Sequence, residues 1–156
     1  MQKAMAFAAF AVVSLLAACD NKGGKYMEVV GGGFLFNYRI AEATAGLVIA
    51  PQRELPEGAS IEVNFENPAG GSPLLMKKDV SGQKTQIDFS TPALSGVVAN
   101  KGYAVTIRLL ASNGSELQRI DKTFRSELDQ SVLPPKPLTV GPGYARNPAL
   151  APEAAP

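Results

Sequence analysis

Apolar and polar residues alternate along four stretches of the chain. Phe34, Phe36, Tyr38 and Ile40 share one face of FLFNYRI. The same period of two places apolar residues on one face of three later stretches: Ile61, Val63 and Phe65 in SIEVNFEN, Ile87 and Phe89 in TQIDFS, and Tyr103, Val105, Ile107 and Leu109 in YAVTIRLLA. This alternation predicts antiparallel β strands with one buried and one solvated face.

Four further segments and several turns extend this pattern. Weaker strands are predicted at residues 26–30, 46–50, 74–80 and 116–124. Asn113-Gly114 predicts a hairpin turn, Ser81-Gly82 and the PAGG stretch predict loops, and Gly31-Gly32-Gly33 predicts a bend between two strands. No helical periodicity is long enough to propose a helix in residues 26–133. The pattern therefore predicts an all-β sandwich of about seven or eight strands.

Residues 94–114, LSGVVANKGYAVTIRLLASNG, resemble one region of fibronectin type III and related immunoglobulin-like domains, from the E–F corner to the F–G turn. The resemblance implies a single immunoglobulin-like antiparallel β-sandwich. It also places Leu94 and Tyr103 in a structural corner, where the tyrosine hydroxyl bonds back to the backbone. The chain has no tryptophan for the usual early-strand core position. Phe34 or Phe36 is expected to take that place.

The first 18 residues have the form of a secretory signal. Lys3 is followed by an apolar run that ends at Ala18. The run is shorter than the roughly 20 residues that a helix needs to cross a bilayer. A short positive region, an apolar region and small terminal residues are typical of a segment that is removed from the mature protein.

LAAC, residues 16–19, resembles the lipobox of bacterial lipoproteins. The resemblance implies that Cys19 receives a diacylglycerol, that the chain is cut before it, and that the new amino group is acylated. Residues 19–25 then link the lipid to the domain. Asp20 and Asn21 resemble a signal for retention at the periplasmic face of the inner membrane, although the outer membrane stays open. The alternative is an unpaired thiol after an ordinary secretory signal, a liability in an oxidising compartment.

Composition narrows the function. Removal of residues 1–18 would leave 138 of the 156 residues, with 14 of the 15 basic side chains against 14 acidic ones. Nucleic-acid binding, which favours a basic excess, is therefore not expected. The chain has no histidine and one cysteine, which excludes Ser-His-Asp and Cys-His catalysis and the usual zinc ligand sets. We predict no metal and no cofactor.

Other candidate motifs have plainer interpretations. Ser81 and Lys84 have the serine-lysine spacing of penicillin-binding enzymes, but they fall in a predicted turn and lack companion motifs. Four glutamates, Glu54, Glu57, Glu62 and Glu66, lack the spacing of a calcium loop and are interpreted as solvated surface. Three lysines, Lys77, Lys78 and Lys84, could contact anionic lipid headgroups. A solubilising edge strand is favoured for them.

The C-terminal segment, residues 134–156, contains 7 of the 12 prolines. Proline cannot donate to a strand ladder and favours extended geometry. We therefore predict a disordered tail. Pro134, Pro135, Pro137 and Tyr144 are candidate partner-binding residues within it, and an inert spacer is the favoured alternative.

Three hypotheses for function follow, in order of preference. The first is a non-enzymatic, lipid-anchored module of the cell envelope that binds a protein partner. The second is a domain for a small ligand or glycan at the membrane surface, although such domains usually expose aromatic side chains. The third is an enzyme that uses only carboxylates, serine and lysine, for which a deep pocket with two converging carboxylates would be the sign.

The first prediction concerns Cys19. We expect the mature chain to begin at Cys19 and to carry acyl chains on it, as the lipobox resemblance implies. These chains would hold the protein at the membrane, since each buried methylene contributes about 0.8 kcal/mol to attachment. Mass spectrometry of the protein extracted from membranes measures this directly. An unmodified thiol on a chain that retains residues 1–18 would contradict the prediction.

Overall fold

Seven strands of the computed structural model, which describes residues 24–150, form two antiparallel sheets. The strands are β1 (Met27–Asn37), β2 (Glu42–Pro51), β3 (Ser60–Phe65), β4 (Leu74–Asp79), β5 (Ile87–Ser90), β6 (Gly102–Leu110) and β7 (Glu116–Arg125). A single turn of 3-10 helix follows at Gln130–Val132, and no helix within residues 24–150 could cross a membrane. The predictions for the signal segment, Cys19, Asp20 and Asn21 lie outside the described residues.

The two sheets pack as an immunoglobulin-like sandwich, which confirms the predicted fold class. One sheet has the strand order β1-β2-β5 and the other β4-β3-β6-β7. The chain changes sheets after β2, β4 and β5, as it does in sandwiches whose fourth strand joins the C–F–G sheet. The inward residues of the alternating stretches form the core between the sheets. Ile61, Val63, Val105 and Ile107 are at most 1% exposed.

Aromatic rings fill one part of this core. Phe34 of β1 lies edge-on to Phe65 of β3 and Tyr103 of β6, with ring centroids 5.8 and 5.4 Å apart. Phe65 in turn meets Phe124 of β7 at 6.2 Å. Edge-to-face geometry is the favoured packing of aromatic pairs. Phe34 of the three-stranded sheet therefore packs directly against the four-stranded sheet.

The crossing from β5 to β6 is built around Leu94 and Tyr103. Leu94 is buried and its amide donates to the Ala43 carbonyl at 2.7 Å. Tyr103 is fully buried, and its hydroxyl accepts a hydrogen bond from the Val98 amide at 2.8 Å. This contact is the one that the corner resemblance implies. It fixes the path of the chain between the two sheets.

The bend predicted at Gly31-Gly32-Gly33 is wrong, because β1 runs without interruption from Met27 to Asn37. A bulge between Val29 and Gly31 shifts its register on β2 by one residue. Gly32 is required here because a Cβ on it would lie 2.6 Å from the Phe124 ring. Tyr38, expected on the inward face, instead lies in the turn after β1 and is 45% exposed.

Part of the proline-rich tail differs from the predicted disorder. Thr139–Val140 (β8) pairs with Ala145–Arg146 (β9) in a short hairpin. The amide and hydroxyl of Thr139 both donate to the Arg39 carbonyl, at 2.9 and 3.2 Å. The prolines do not block this pairing because Pro142 lies in the hairpin turn and none stands at a paired position. Residues 151–156 lie outside the described residues.

Replacing the corner tyrosine tests this account of the fold. Tyr103→Phe removes the acceptor of the Val98 amide, and an unsatisfied, partly buried amide costs about 1–3 kcal/mol. We expect the free energy of unfolding, measured by chemical denaturation, to fall by that amount. Tyr38→Phe is the control, because Tyr38 lies exposed in a turn. Equal stability of the two variants would show that the corner bond contributes nothing.

Candidate interaction surface

The outer face of the four-stranded sheet is covered by its own ion pairs. Glu62 of β3 lies between Lys77 of β4 and Arg108 of β6, at 3.0 and 2.6 Å. The hydrogen bond from Lys77, assisted by its charge and by Arg108, holds the pKa of Glu62 below its ordinary value despite partial desolvation. The Glu62 side chain is 14% exposed. One carboxylate thus joins three neighbouring strands.

The β7 side of the same face is paired in the same way. Arg119 and Thr106 both bond to Asp121, at 3.0 and 2.7 Å. These hydrogen bonds, the one from Arg119 first, lower the pKa of Asp121. Glu66 lies 3.8 Å from Lys101. Acidic and basic groups on this face therefore satisfy one another.

The three lysines singled out in the sequence are also engaged within the domain. Lys77 pairs with Glu62, and Lys84 pairs with Glu54 at 2.8 Å. Lys78 donates to the Asp88 carbonyl and lies over the Phe89 ring. Lys77 and Lys78 stand on β4, an edge strand. Their placement fits the interpretation as a protected edge rather than a lipid contact.

The outer face of β1 and β2 has a different character. Its registered pairs are Gly31 with Val48, Gly33 with Gly46, and Leu35 with Thr44. We call these six residues the β1–β2 face. No charged residue belongs to it, and Leu35 is 65% exposed. The outward side of a sandwich sheet is normally polar, so this apolar area is unusual.

Three carboxylates border the β1–β2 face. Asp88 of β5 stands opposite Val48, Glu42 follows the turn at the start of β2, and Glu28 lies near the start of β1. None of the three has a salt-bridge partner among residues 24–150, whereas Glu62 and Asp121 on the other sheet are paired. The result is an uncharged centre with an acidic rim. This arrangement matches a protein surface that has an apolar centre and basic surroundings.

Sequence reasoning missed this face, although a signal for it exists. β2 reads EATAGLVIAP, and no charged residue follows Glu42 within the strand. A strand that is apolar on both sides is typical of one that is buried on both faces. In the structure Ala43, Ala45, Leu47 and Ile49 are buried, while the alternate residues remain partly exposed. The second apolar side of β2 is therefore left partly exposed in this structure.

The predicted tail residues lie near the turn between β1 and β2. Tyr144 is 51% exposed, and the Arg39 guanidinium lies 5.8 Å from its ring centroid. The Pro137 carbonyl accepts a hydrogen bond from the Asn147 side chain at 2.7 Å. Pro134 is half-buried and Pro135 is exposed. These contacts hold residues 137–147 near the β1–β2 turn and leave the Tyr144 ring accessible.

Ser81 and Lys84 do not form a catalytic pair. The Ser81 hydroxyl accepts a hydrogen bond from the Gly58 amide at 3.0 Å, and Lys84 pairs with Glu54. Four shallow hollows have volumes of about 240 to 340 Å³, and each is lined by a single carboxylate: Asp121, Glu28, Glu127 or Glu66. A mechanism based on two carboxylates needs a second one, which none of these four hollows supplies.

Comparison with known proteins gives no relationship: no family model and no curated protein matches the chain. The candidate site therefore rests on the chain's own residues. Within the described part of the chain no cluster of three or more acidic, histidine or cysteine side chains could hold a metal ion. Among the described residues, the β1–β2 face is the candidate interaction surface.

The Glu62 network predicts a pH dependence of stability. Since the folded state lowers the pKa of Glu62, its contribution is present above the ordinary glutamate pKa of about 4.3 and is lost as the pH falls through the folded value. Glu62→Gln is expected to lower the free energy of unfolding by about 1–2 kcal/mol at neutral pH. That deficit should shrink in acid.

Chemical denaturation of both proteins from neutral pH down to about pH 3 measures the difference across the range in which a glutamate titrates. Glu57→Gln, at an exposed loop position, is the control and should leave the profile unchanged. A Glu62→Gln deficit that stays constant at every pH would show that the carboxylate's charge does not contribute.

Proposed function

We propose that this chain is a non-enzymatic interaction module, anchored through lipid on Cys19 at the periplasmic face of the inner membrane. Its β1–β2 face binds an envelope protein that presents an apolar patch surrounded by basic side chains. The uncharged face with its acidic rim is the observation that supports this proposal. The lipid determines the location, and the sandwich presents the face.

The apolar centre would supply affinity. Burying apolar surface contributes about 25 cal/mol for each Å² removed from water. Leu35 and the partly exposed Val48 are the larger side chains of the face, and the glycines between them allow a partner to approach the backbone closely. The Glu28, Glu42 and Asp88 carboxylates would orient a basic partner and accelerate its association.

The charges favour a protein over the membrane itself as the occupant. Anionic lipid headgroups attract lysine and arginine clusters, whereas this face has a rim of carboxylates. Helices and loops that lie on membranes typically combine apolar and basic residues, and the β1–β2 face has no basic residue. The face also presents no aromatic ring for stacking against a sugar. These features place the glycan hypothesis second.

The anchor would keep the domain close to its partner. Asp20 to Tyr26 separate Cys19 from the start of β1, and such a segment spans at most roughly 25 Å when extended. A domain held this near the bilayer meets other membrane-anchored proteins at high effective concentration. A modest interface is then sufficient for stable association.

A matched pair of leucine variants tests the proposal. Leu35 and Leu75 both lie on outer faces of edge strands, and they are 65% and 61% exposed. A photo-crosslinker at Thr44 is expected to give an adduct with another envelope protein. Leu35→Glu should reduce the adduct at least tenfold, because a carboxylate would be buried in an apolar contact. Leu75→Glu, on the other sheet, should leave it unchanged.

Two further variants define the contact. Val48→Lys should abolish the adduct, since Val48 and Leu35 are the larger side chains of the face. Neutralising Glu28, Glu42 and Asp88 together as Gln, Gln and Asn should weaken capture and reduce its salt dependence. Equal loss in Leu35→Glu and Leu75→Glu, or an equal adduct from a crosslinker at Thr106 on the opposite sheet, would refute this binding face.

A further inference from the structure

The open edge of β1 lacks the usual protection. From Val29 to Asn37 this strand contains no charged residue. The other edges are guarded: β4 has Lys77 and Lys78, β7 has Arg119 and Lys122, and the short β5 has its Asp88 carbonyl bound by Lys78. Native sandwiches use charges of this kind to prevent pairing between edge strands. A strand edge without such charges can pair with a strand of another chain.

The hydrogen-bonding direction of β1 follows from its neighbours. The carbonyls of Ala43 and Ala45 in β2 accept from Leu94 and Thr91 on the β5 side, at 2.7 and 2.8 Å. Alternation along β2 then directs Thr44 and Gly46 towards β1, where they pair with Leu35 and Gly33. The amides and carbonyls of the intervening residues, Gly32, Phe34 and Phe36, therefore face the open edge.

Only the beginning of this edge is covered. The Gln118 side chain of β7 accepts from the Tyr26 and Met27 amides at 2.7 and 3.1 Å, and it donates to the Met27 carbonyl at 2.8 Å. Further along, Gly32 is exposed. A hollow of about 330 Å³ lies between Phe34 and Phe36 on one side and residues 125–128 on the other. The edge from Gly31 to Phe36 thus has unpaired backbone groups, with residues 125–128 across the hollow from Phe34 and Phe36.

We propose that a second copy of this chain pairs with this edge, β1 against β1 and antiparallel, with Gly33 of each copy at the centre. Gly32 then stands opposite Phe34 of the second copy, and Gly31 stands opposite its Leu35. On the outward side, Gly31 leaves room for Leu35 of the second copy, since a Cβ there would meet only Val48 atoms at 3.9 Å. On the inward side, Phe34 stays in its own core against Phe65 and Tyr103, and the Phe124 ring already lies over Gly32. Cross-strand side-chain pairs stabilise strand pairing.

The register centred on Gly33 avoids a steric conflict that the register centred on Phe34 would create. Centring the pair on Phe34 would place the two Phe34 side chains directly opposite each other, whereas the Gly33 centre opposes no large pair among residues 31–35. A shift by one residue would place inward side chains opposite outward ones. The pairing is isologous, so it closes as a dimer. It also joins the two β1–β2 faces into one surface on a six-stranded sheet.

The anchor is compatible with this arrangement. Two antiparallel β1 strands centred on Gly33 place their Met27 residues roughly 40 Å apart along the strand direction. If the strands run parallel to the membrane, the segment between Cys19 and β1 allows both lipids to reach the same leaflet. Only the orientation of the paired strands relative to the membrane depends on the proposed lipid anchor. The pairing itself goes beyond the proposed function and needs no third protein.

Cysteine pairs test the register. Gly31→Cys and Leu35→Cys are expressed together in full-length chains with tags of different size, and membranes are treated with a mild oxidant. Opposite residues in a non-hydrogen-bonded antiparallel pair have Cα atoms about 4.5 Å apart, within disulfide range. We expect a mixed disulfide dimer that carries both tags. A Cβ at Gly31 meets only Val48 atoms at 3.9 Å, so the substitution fits.

Each variant expressed alone is the control. Identical positions are four residues out of register, roughly 13 Å apart, which is too far for a disulfide. The single variants should therefore give no more dimer than the parent chain, whose only cysteine is Cys19. Light scattering on the parent chain extracted in detergent should give the mass of two chains.

Absence of the mixed dimer from folded, membrane-bound chains would overturn the pairing, as would equal dimer from either variant alone or an adduct with a different protein. These failures are separable from those of the proposed function. Neutralising Glu28, Glu42 and Asp88 together leaves residues 31–35 of the β1 edge unaltered, so it should weaken partner capture and preserve the mixed disulfide. Loss of the disulfide with partner capture intact would refute only the self-pairing.

Discussion

The register of β2 between β1 and β5 is the constraint on which both the core and the candidate site depend. Four apolar residues of β2 must face the other sheet, because their burial against it forms part of the core: Ala43, Ala45, Leu47 and Ile49. A slip of one residue would exchange the two faces of the strand. Once the inward residues are buried, Thr44, Gly46 and Val48 face outward. The β1–β2 face is thus a direct consequence of how the core is built.

The two outer faces of the sandwich use charge in opposite ways. On the four-stranded sheet, Glu62 and Asp121 are held by neighbouring cations, so the face is electrostatically complete by itself. On the three-stranded sheet, the charges stand at the rim and have no salt-bridge partner among the described residues. An isolated domain gains little from such an arrangement, since unpaired carboxylates give solubility only. In a complex, the same carboxylates would orient a basic partner around an apolar contact.

Close packing along the β1–β7 seam links the fold to the unprotected edge. Gly32 lets β1 approach the Phe124 ring, where a Cβ would clash, and this requirement places glycine in a strand that would otherwise favour β-branched residues. The same glycines leave the edge without bulky side chains. Leu35 follows shortly after Gly31 on the outward side, so one short sequence contains both an open position and a side chain that would cover it in a second copy. Packing within the domain and the proposed pairing between domains would therefore use neighbouring residues of one strand.

Period-two alternation determined much of this protein by itself. Inward residues such as Ile61, Phe89 and Val105 were predictable because a strand with one wet face must alternate, and the turn at Asn113-Gly114 follows from local backbone preferences. The corner bond of Tyr103 followed from a resemblance.

Tertiary structure determined the features that local sequence patterns could not predict. Consecutive glycines such as Gly31 to Gly33 usually disfavour a β strand, and here the pairing with β2 and the contact with Phe124 keep them in one. Likewise, the hairpin in the proline-rich tail depends on the distant Arg39 carbonyl. The exposure of one side of β2 could not be read from its composition, because an apolar run specifies burial without specifying which neighbour provides it.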